Sequence, residues 1–456
     1  MGMSRRAIPL PRGLCVALAL LGCLGARPLL AETILLDGVH AHNLIERGLA
    51  PGVRNYHELH APRWALARQV ARGARVHEIR EGRLRPQVLE GVDLLYVNLV
   101  SSDRAAFFPS EIEAVTTWVD EGGSLLLITD HSNCYHHINV LEPLAEALDL
   151  RLWRESALES PPQHLASGPG WIVIDRFRDH PVTAGLRWIS FQTGCPVDDR
   201  WAVATTSEGG WGDQAETSPY GEHALRRGNL GNYGNFRLDD GERRGPLAVL
   251  AAKEVGAGRI VVVGDQNVFG DVWIRYGDNL RLFENVMTWL LRRDASADPS
   301  LDASPPRVLL LEDPERRAFG DDTPTGLYHA FVALARQVDT AVHDRVEGDP
   351  ALVVVAPRGK ALSTSDEARL ASHLERGGKV LWLVSGAEPS AVSSEGLAAL
   401  RARLAAKHRS RLITVPEVER FLNDQVAAPT VTPNATQQEA EASWLQIVRD
   451  HLPTDR

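Results

Sequence analysis

Cysteine is scarce: four in 456 residues, too few for a disulfide framework. Methionine is scarcer still at three, and aromatic residues reach only 6%. Positive charge is in deficit, with 49 Lys and Arg against 59 acidic residues and a formal net charge of −10. An acidic chain without a basic block argues against nucleic acid and anionic lipid as partners. Long apolar runs are missing as well. Even Leu14–Leu21 falls short of the roughly 20 apolar residues a membrane span requires. What is present is ordinary for globular chains: 44% hydrophobic and 24% charged residues, with 38 Gly and 27 Pro. A chain of this length has room for two or three domains, each able to bury a core.

Residues 1–31 read as an export signal. Arg5, Arg6 and Arg12 precede the apolar stretch Leu14–Leu21, and small residues follow. The segment holds four arginines and no acid, so its removal takes the charge from −10 to −14. Processing near Ala31 gives a periplasmic chain, whereas Leu20-Leu21-Gly22-Cys23 resembles a lipoprotein box that would acylate Cys23 and tether it to the envelope. A lipid anchor is the one membrane contact the sequence suggests. Cys134 and Cys195 then either pair in an oxidising compartment or stay as two buried thiols.

The body alternates strands and helices. Apolar strands are expected at Thr33–Asp37, Arg75–Ile79, Leu94–Leu99, Ser124–Thr129 and Arg259–Val263, with helices at Tyr56–Arg72, Pro109–Asp120, Asn139–Leu148 and Asn279–Leu291. Near-continuous apolar strands separated by helices specify a parallel sheet covered on both faces. This first domain spans 32–292 and is interrupted at about 155–246 by short β-like runs, read as an insertion covering one end of the sheet. Tryptophans 188, 201, 211 and 273 supply core for it. A linker at 293–306 leads to a second α/β domain at 307–425, and a tail at 426–456 carries a short amphipathic helix.

The two domains share a plan. Ala65-Leu66-Ala67-Arg68-Gln69-Val70 recurs as Ala333-Leu334-Ala335-Arg336-Gln337-Val338, each copy followed by a short strand. Leu94–Leu99 and Leu125–Ile128 have counterparts in Leu352–Val355 and Val380–Val384, with Leu125–Ile128 and Val380–Val384 each following a Gly-Gly stop. Duplication of a whole domain is the implied origin.

Chemistry is expected in the first copy, because ligands of open α/β sheets bind beyond the carboxyl ends of the strands. There stand His40, His42 and Asn43 after the first strand, Asn98 after the third, Asp130 and His131 after the fourth, and Asp265, Gln266 and Asn267 after a later one. The second copy has no histidine at those places. His40, His42, Asp130 and His131 suit one divalent transition metal ion, with His136 or Asp265 moving protons. Asn43, Asn98, Gln266 and Asn267 would bind the polar groups of a ligand. The alternative is that these loop side chains serve the backbone, as Asp130 would by capping the following helix.

Ile34–His40, Gly122–His131, Asp179–Leu186 and Gly258–Asp265 together resemble the class I glutamine amidotransferase-like superfamily, in its exported bacterial branch. The resemblance spans most of 33–292, with 307–425 as a degenerate second copy, and it implies two flavodoxin-like parallel sheets. It does not carry the amidotransferase reaction. Those enzymes place a cysteine on a glycine-flanked elbow where this chain has Thr129-Asp130-His131, and a His-x-Glu pair where it has Asp265-Gln266-Asn267. Two functions follow as expectations: an envelope protein binding a small polar ligand or a partner, or a metal-dependent hydrolase of envelope amides or glycans.

Overall fold

Thr33–Asp37 is buried at every position, and its side chains alternate between two cores. Ile34 and Leu36 join one apolar cluster and Leu35 the other. The computed structural model describes residues 31–41, 61–160, 163, 170–214, 234–270, 273–274 and 277–293 of the first half. In the second half it describes 307–312, 341–343, 350, 352–356, 362, 364–383, 394–415 and 450. The export signal and Cys23, His42, Asn43, the 294–306 linker, the second hexapeptide copy and nearly all of the tail lie outside the described residues.

In chain order the first half comprises β1 (Thr33–Asp37), α1 (Arg63–Ala71), β2 (Arg75–Ile79), α2 (Pro86–Leu89), β3 (Leu94–Val97), α3 (Pro109–Asp120), β4 (Ser124–Ile128) and α4 (His137–Ala147). Short strands follow: β5 (Glu155–Leu158), β6 (Trp171–Ile174), β7 (Arg176–Phe177), β8 (Ile189–Gln192), β9 (Ala202–Thr205), β10 (Trp211–Gln214) and β11 (Arg243–Arg244). The half closes with β12 (Ala248–Val255), β13 (Gly258–Val263) and α5 (Asn279–Leu290).

Five strands, in the order β2-β1-β3-β4-β13, are parallel neighbours. The sheet then continues through β12, β9 and β7, each antiparallel to its neighbour. The expectation of a purely parallel sheet is therefore corrected to a mixed one. The reason is local: β12 and β13 are joined by the two-residue turn Gly256-Ala257, with Gly256 at a φ of 55°. A connection that short permits only antiparallel pairing. The insertion is corrected with it. β7 and β9 extend the main sheet, while β5, β10 and β11 form a three-stranded sheet and β6 pairs with β8.

Helices cover both faces. Ala65 and Leu66 of α1 pack with Leu282, Phe283, Val286 and Met287 of α5 on one side. Ala114, Val115 and Val119 of α3 pack with Leu141, Leu144 and Ala145 of α4 on the other. The hexapeptide's polar pair has a structural use. Buried Glu284 of α5 accepts hydrogen bonds from Arg68 Nε (3.0 Å) and Gln69 Nε2 (2.8 Å) and is also paired with Arg72. A buried carboxylate needs such partners to remain charged.

The second half contains β14 (Arg307–Glu312), β15 (Ala341–His343), β16 (Leu352–Ala356), α6 (Thr364–Glu375), β17 (Lys379–Leu383), α7 (Ser394–His408) and β18 (Leu412–Val415). Its strands lie in the order β15-β14-β16-β17-β18, all parallel. Val353, Val355, Val380 and Trp382 pack with Leu370, Leu374, Leu400 and Leu404. The registers of the two sheets correspond. Ile34 faces Val76 and Leu94 as Val308 faces Val342 and Leu352, and Leu125 faces Ile260 as Val380 faces Leu412. No helix among the described residues is long and apolar enough to cross a membrane.

Gly258 opens β13 where the carbonyls of Val119 and Gly123 approach its Cα, leaving no room for a methyl group. Gly258→Ala is expected to cost about 1–3 kcal/mol, the usual range for overpacking against backbone that cannot yield. Urea denaturation checks this; an unchanged midpoint would show that the α3–β13 contact is loose.

Candidate functional site

The carboxyl ends of β1, β3, β4 and β13 bring polar residues to one edge of the sheet. At β1, Asp37 Oδ1 accepts the backbone amides of Val39 (3.0 Å) and His40 (3.1 Å), which folds the chain back on itself. That turn brings His40 Nδ1 to 2.8 Å from Asp37 Oδ2. The imidazole is fully buried, stacks on Phe107 at 3.8 Å between ring centres, and presents Nε2 to Glu111 Oε1 at 3.7 Å. Glu111 is held in turn by the amides of Leu84 (2.8 Å) and Phe108 (3.0 Å). The second of these closes the amino-terminal turn of α3 in the manner of a capping-box glutamate. Burial alone disfavours the His40 cation, but the hydrogen bond and charge of Asp37, helped by Glu111, outweigh it and raise the pKa above 6.5. His40 is thus clamped between two carboxylates and is not part of the donor group Asp130, His131 and Cys134.

The loops after β1 and β3 are joined. Ser101 donates its amide to the His40 carbonyl at 3.0 Å, and Ala41 forms an antiparallel bridge with Val100. Asn98, at the end of β3, is buried. Ser102 donates to the Tyr135 carbonyl at 2.9 Å, which links this pair of loops to the one after β4.

Three residues of that last loop, Ser132, Tyr135 and His136, have φ near +50° without being glycine. Such backbone costs about 1–2 kcal/mol per residue and persists only where surrounding contacts enforce it. One enforcing contact is His137. Its Nε2 accepts the Asp130 amide (3.3 Å) and its Nδ1 donates to the Cys134 carbonyl (2.7 Å), so both nitrogens serve the backbone as a neutral ring. Burial pushes its pKa down to about 3, and the same cause lowers His131 to about 3. His136, expected to move protons, is exposed at the start of α4, because its left-handed backbone turns the chain before the helix begins.

Asp130 is buried, with Oδ2 accepting from Gln266 Nε2 (2.7 Å) and Oδ1 accepting the His131 amide (2.7 Å). Gln266 thereby joins the β13 end to the β4 end. Asp265, the other expected proton carrier, is a staple: Oδ1 takes the Asn267 amide (2.7 Å) and Oδ2 the Gln192 amide (2.6 Å). Asn267 Nδ2 reaches the Gln192 carbonyl at 3.5 Å.

Cys134 and Cys195 are both buried thiols and do not form the disulfide. Their surroundings keep them apart. Cys195 Sγ contacts Thr129 Oγ1 at 2.8 Å, and Cys134 Sγ lies 3.8 Å from His137 Nδ1. Burial pushes the Cys195 thiol up to about 12. The donor group that does form consists of Asp130, His131 and Cys134. Among the described residues it keeps Asp130 and His131 of the expected metal ligands, leaves out His40, and adds a cysteine expected to be a disulfide partner or a buried thiol. The sequence signal was present in the spacing Asp130-His131-x-x-Cys134.

Two further acids, Glu155 and Asp213, stand on the paired strands β5 and β10 beside the loop after β4. Ser132 donates its amide to the Glu155 carbonyl at 3.0 Å, which brings β5 against the loop. Burial pushes Glu155 and Asp213 up to about 7, opposed at Glu155 by Arg243 and reinforced at Asp213 by Glu242. A separate open groove of about 550 Å³ lies at the far end of α4, lined by Glu142, Asp149, Trp153, Asp198 and Arg200 among others.

A family model described as a domain of unknown function (DUF4350) matches residues 68–287, a little under half of the chain. No curated protein matches. Among solved structures, the mmIFT52 N-terminal domain is similar over 57% of this chain and 97% of its own, at 14% identity and a TM-score of 0.40. A cytoplasmic protein, STM1381 from Salmonella typhimurium LT2, is 12% identical, covers 57% of this chain and 99% of its own, and scores 0.33. A ThuA-like protein from Parabacteroides merdae ATCC 43184 is 12% identical over 59% of this chain and 93% of its own, with a score of 0.31. At these scores neither fold nor activity carries over.

The raised His40 pKa has a defined consequence for stability. Its contribution is fully present below the unfolded value of 6.5 and is lost as pH rises through the folded value. His40→Gln is therefore expected to lower the denaturation midpoint more at about pH 5 than at about pH 9. Equal losses at both pH values would remove the charged clamp from the description.

Proposed function

We propose that the protein is an exported envelope protein built on two class I glutamine amidotransferase-like units. In this reading it binds a small polar ligand or a partner and lacks the amidotransferase nucleophile. The strand order in each half, second-first-third-fourth-fifth, is the flavodoxin-like order and supports this reading of the fold. The matched registers of the two sheets support descent by duplication.

One observation carries the binding reading: the polar side chains at the strand ends are engaged as holders of each other and of backbone, not as an activated nucleophile with its base. Cys195 is protonated at neutral pH, and a thiol in that state is a poor nucleophile. His137, the imidazole beside Cys134, has both nitrogens committed to backbone. Nucleophilic catalysis needs a base free to take the proton. The polar residues gather at the ends of β1, β3, β4 and β13, the edge at which ligands of α/β sheets bind.

A metal-dependent hydrolase of envelope amides or glycans is the second reading, favoured by the Asp130, His131 and Cys134 donors. Hydrolysis needs an open coordination position that substrate can reach. These three side chains are at most 4% exposed, which speaks against a position that substrate can reach.

Purified protein is expected to release no ammonia from glutamine, with Cys134→Ala and Cys195→Ala unchanged from that background. Ammonia release abolished by either substitution overturns the reading. Export is tested separately. The mass of the mature chain from envelope fractions is expected to lack residues 1–31, or to begin at a lipidated Cys23. A chain of full mass in the cytosol overturns it.

A further inference from the structure

Three side chains of different donor chemistry meet in the loop after β4. Asp130, His131 and Cys134 are 3%, 4% and 1% exposed, and one ligand atom from each lies within 4.8 Å of the other two. We propose that this trio is the resident site of one divalent cation of the zinc class, bound through carboxylate oxygen, imidazole nitrogen and thiolate sulfur. The inference concerns how the loop after β4 is held together. It stands or falls separately from the ligand-binding reading.

The geometry needs little adjustment. Zinc-type bonds of about 2.0–2.3 Å in a tetrahedron place donor atoms roughly 3.3–3.7 Å apart. Side-chain movements of about an ångström close the present spacing to that value. The backbone already supports the grouping. Cys134 donates its amide to the His131 carbonyl at 3.1 Å, a turn that brings the two side chains together, and Asp130 is adjacent in sequence. Gln266 aims the Asp130 carboxylate from the neighbouring strand end through a 2.7 Å hydrogen bond. An outer partner of this kind fixes the orientation of a ligating carboxylate. His137 is not a fourth ligand, because its Nε2 accepts the Asp130 amide and its Nδ1 donates to the Cys134 carbonyl.

The donor set also selects the ion. A thiolate with an imidazole disfavours magnesium and calcium, which take oxygen ligands, and a single cysteine is too few for an iron–sulfur cluster. Binding replaces the sulfur–hydrogen bond of Cys134 with a metal–sulfur bond and releases one proton to solvent, with no change in oxidation state.

The test uses the full chain, stripped with a chelator and titrated with cobalt(II), then with zinc(II). Saturation at one ion per chain is expected, with a thiolate-to-cobalt absorption band that zinc abolishes. Cys134→Ser removes the band and weakens binding by roughly tenfold or more, at least the loss that follows removal of an outer-shell partner. Cys195→Ser retains both band and affinity. Failure of the wild-type chain to saturate at one ion overturns the proposal, as does a band that survives in Cys134→Ser or vanishes in Cys195→Ser. Where Cys134→Ser does not fold, Asp130→Asn decides: weaker cobalt binding supports the site, and unchanged affinity overturns it. Loss of metal binding leaves the ammonia and export tests standing, so the two readings fail separately.

Discussion

Both faces of the first sheet are covered by helices, and that constraint decides where polar chemistry can exist. Strand side chains alternate between two dry cores, so Ile34 and Leu36 face one and Leu35 the other. Charges within those cores must be paired, as Glu284 is by Arg68, Gln69 and Arg72. Unpaired backbone groups and functional side chains gather instead where the strands stop. Asp37, Asn98, Asp130 and Gln266 all stand at such ends.

Because those ends are buried too, polar groups there must satisfy one another. Asp37 holds His40, which stacks on Phe107 and turns its other nitrogen to Glu111. Asp265 staples two amides, Gln266 ties β13 to Asp130, and His137 fastens the strained loop through both ring nitrogens. Three buried histidines of these loops have different surroundings. His40 is held by carboxylates that raise its pKa, His137 is committed to backbone through both nitrogens, and His131 lies beside a carboxylate and a thiol. Among the described residues, the last is the one grouped with two other potential metal donors within 4.8 Å. An ion there would hold the β4 loop in the left-handed conformations that its sequence alone disfavours.

Much of the scaffold was legible. Continuous apolar runs gave β1, β3, β4 and β13 to within a residue or two. The Pro109 start and the Gly122-Gly123 stop gave α3 at its observed bounds. β12 was missed because Ala248–Val255 lacks the bulk and the flanking helices that marked its neighbours. Its pairing depends on a two-residue turn whose importance is visible only once β13 is placed. Whether Cys134 pairs with Cys195 or stays a free thiol was left open for a related reason: a cysteine's partner is a matter of distance, which the structure supplies. Glu111 was read as a helix opener, which it is; that its carboxylate also faces His40 depends on packing between elements 71 residues apart.

Periodicity and chain order settled the alternating elements and the edge at which polar residues collect, because burial period and connection length are properties of neighbours along the chain. The direction of the outer strands, the engagement of each imidazole and the grouping of Asp130 with His131 and Cys134 were settled by folding. Those depend on which backbone amides and carboxylates come within about 3 Å, a short-range condition that residue order does not encode.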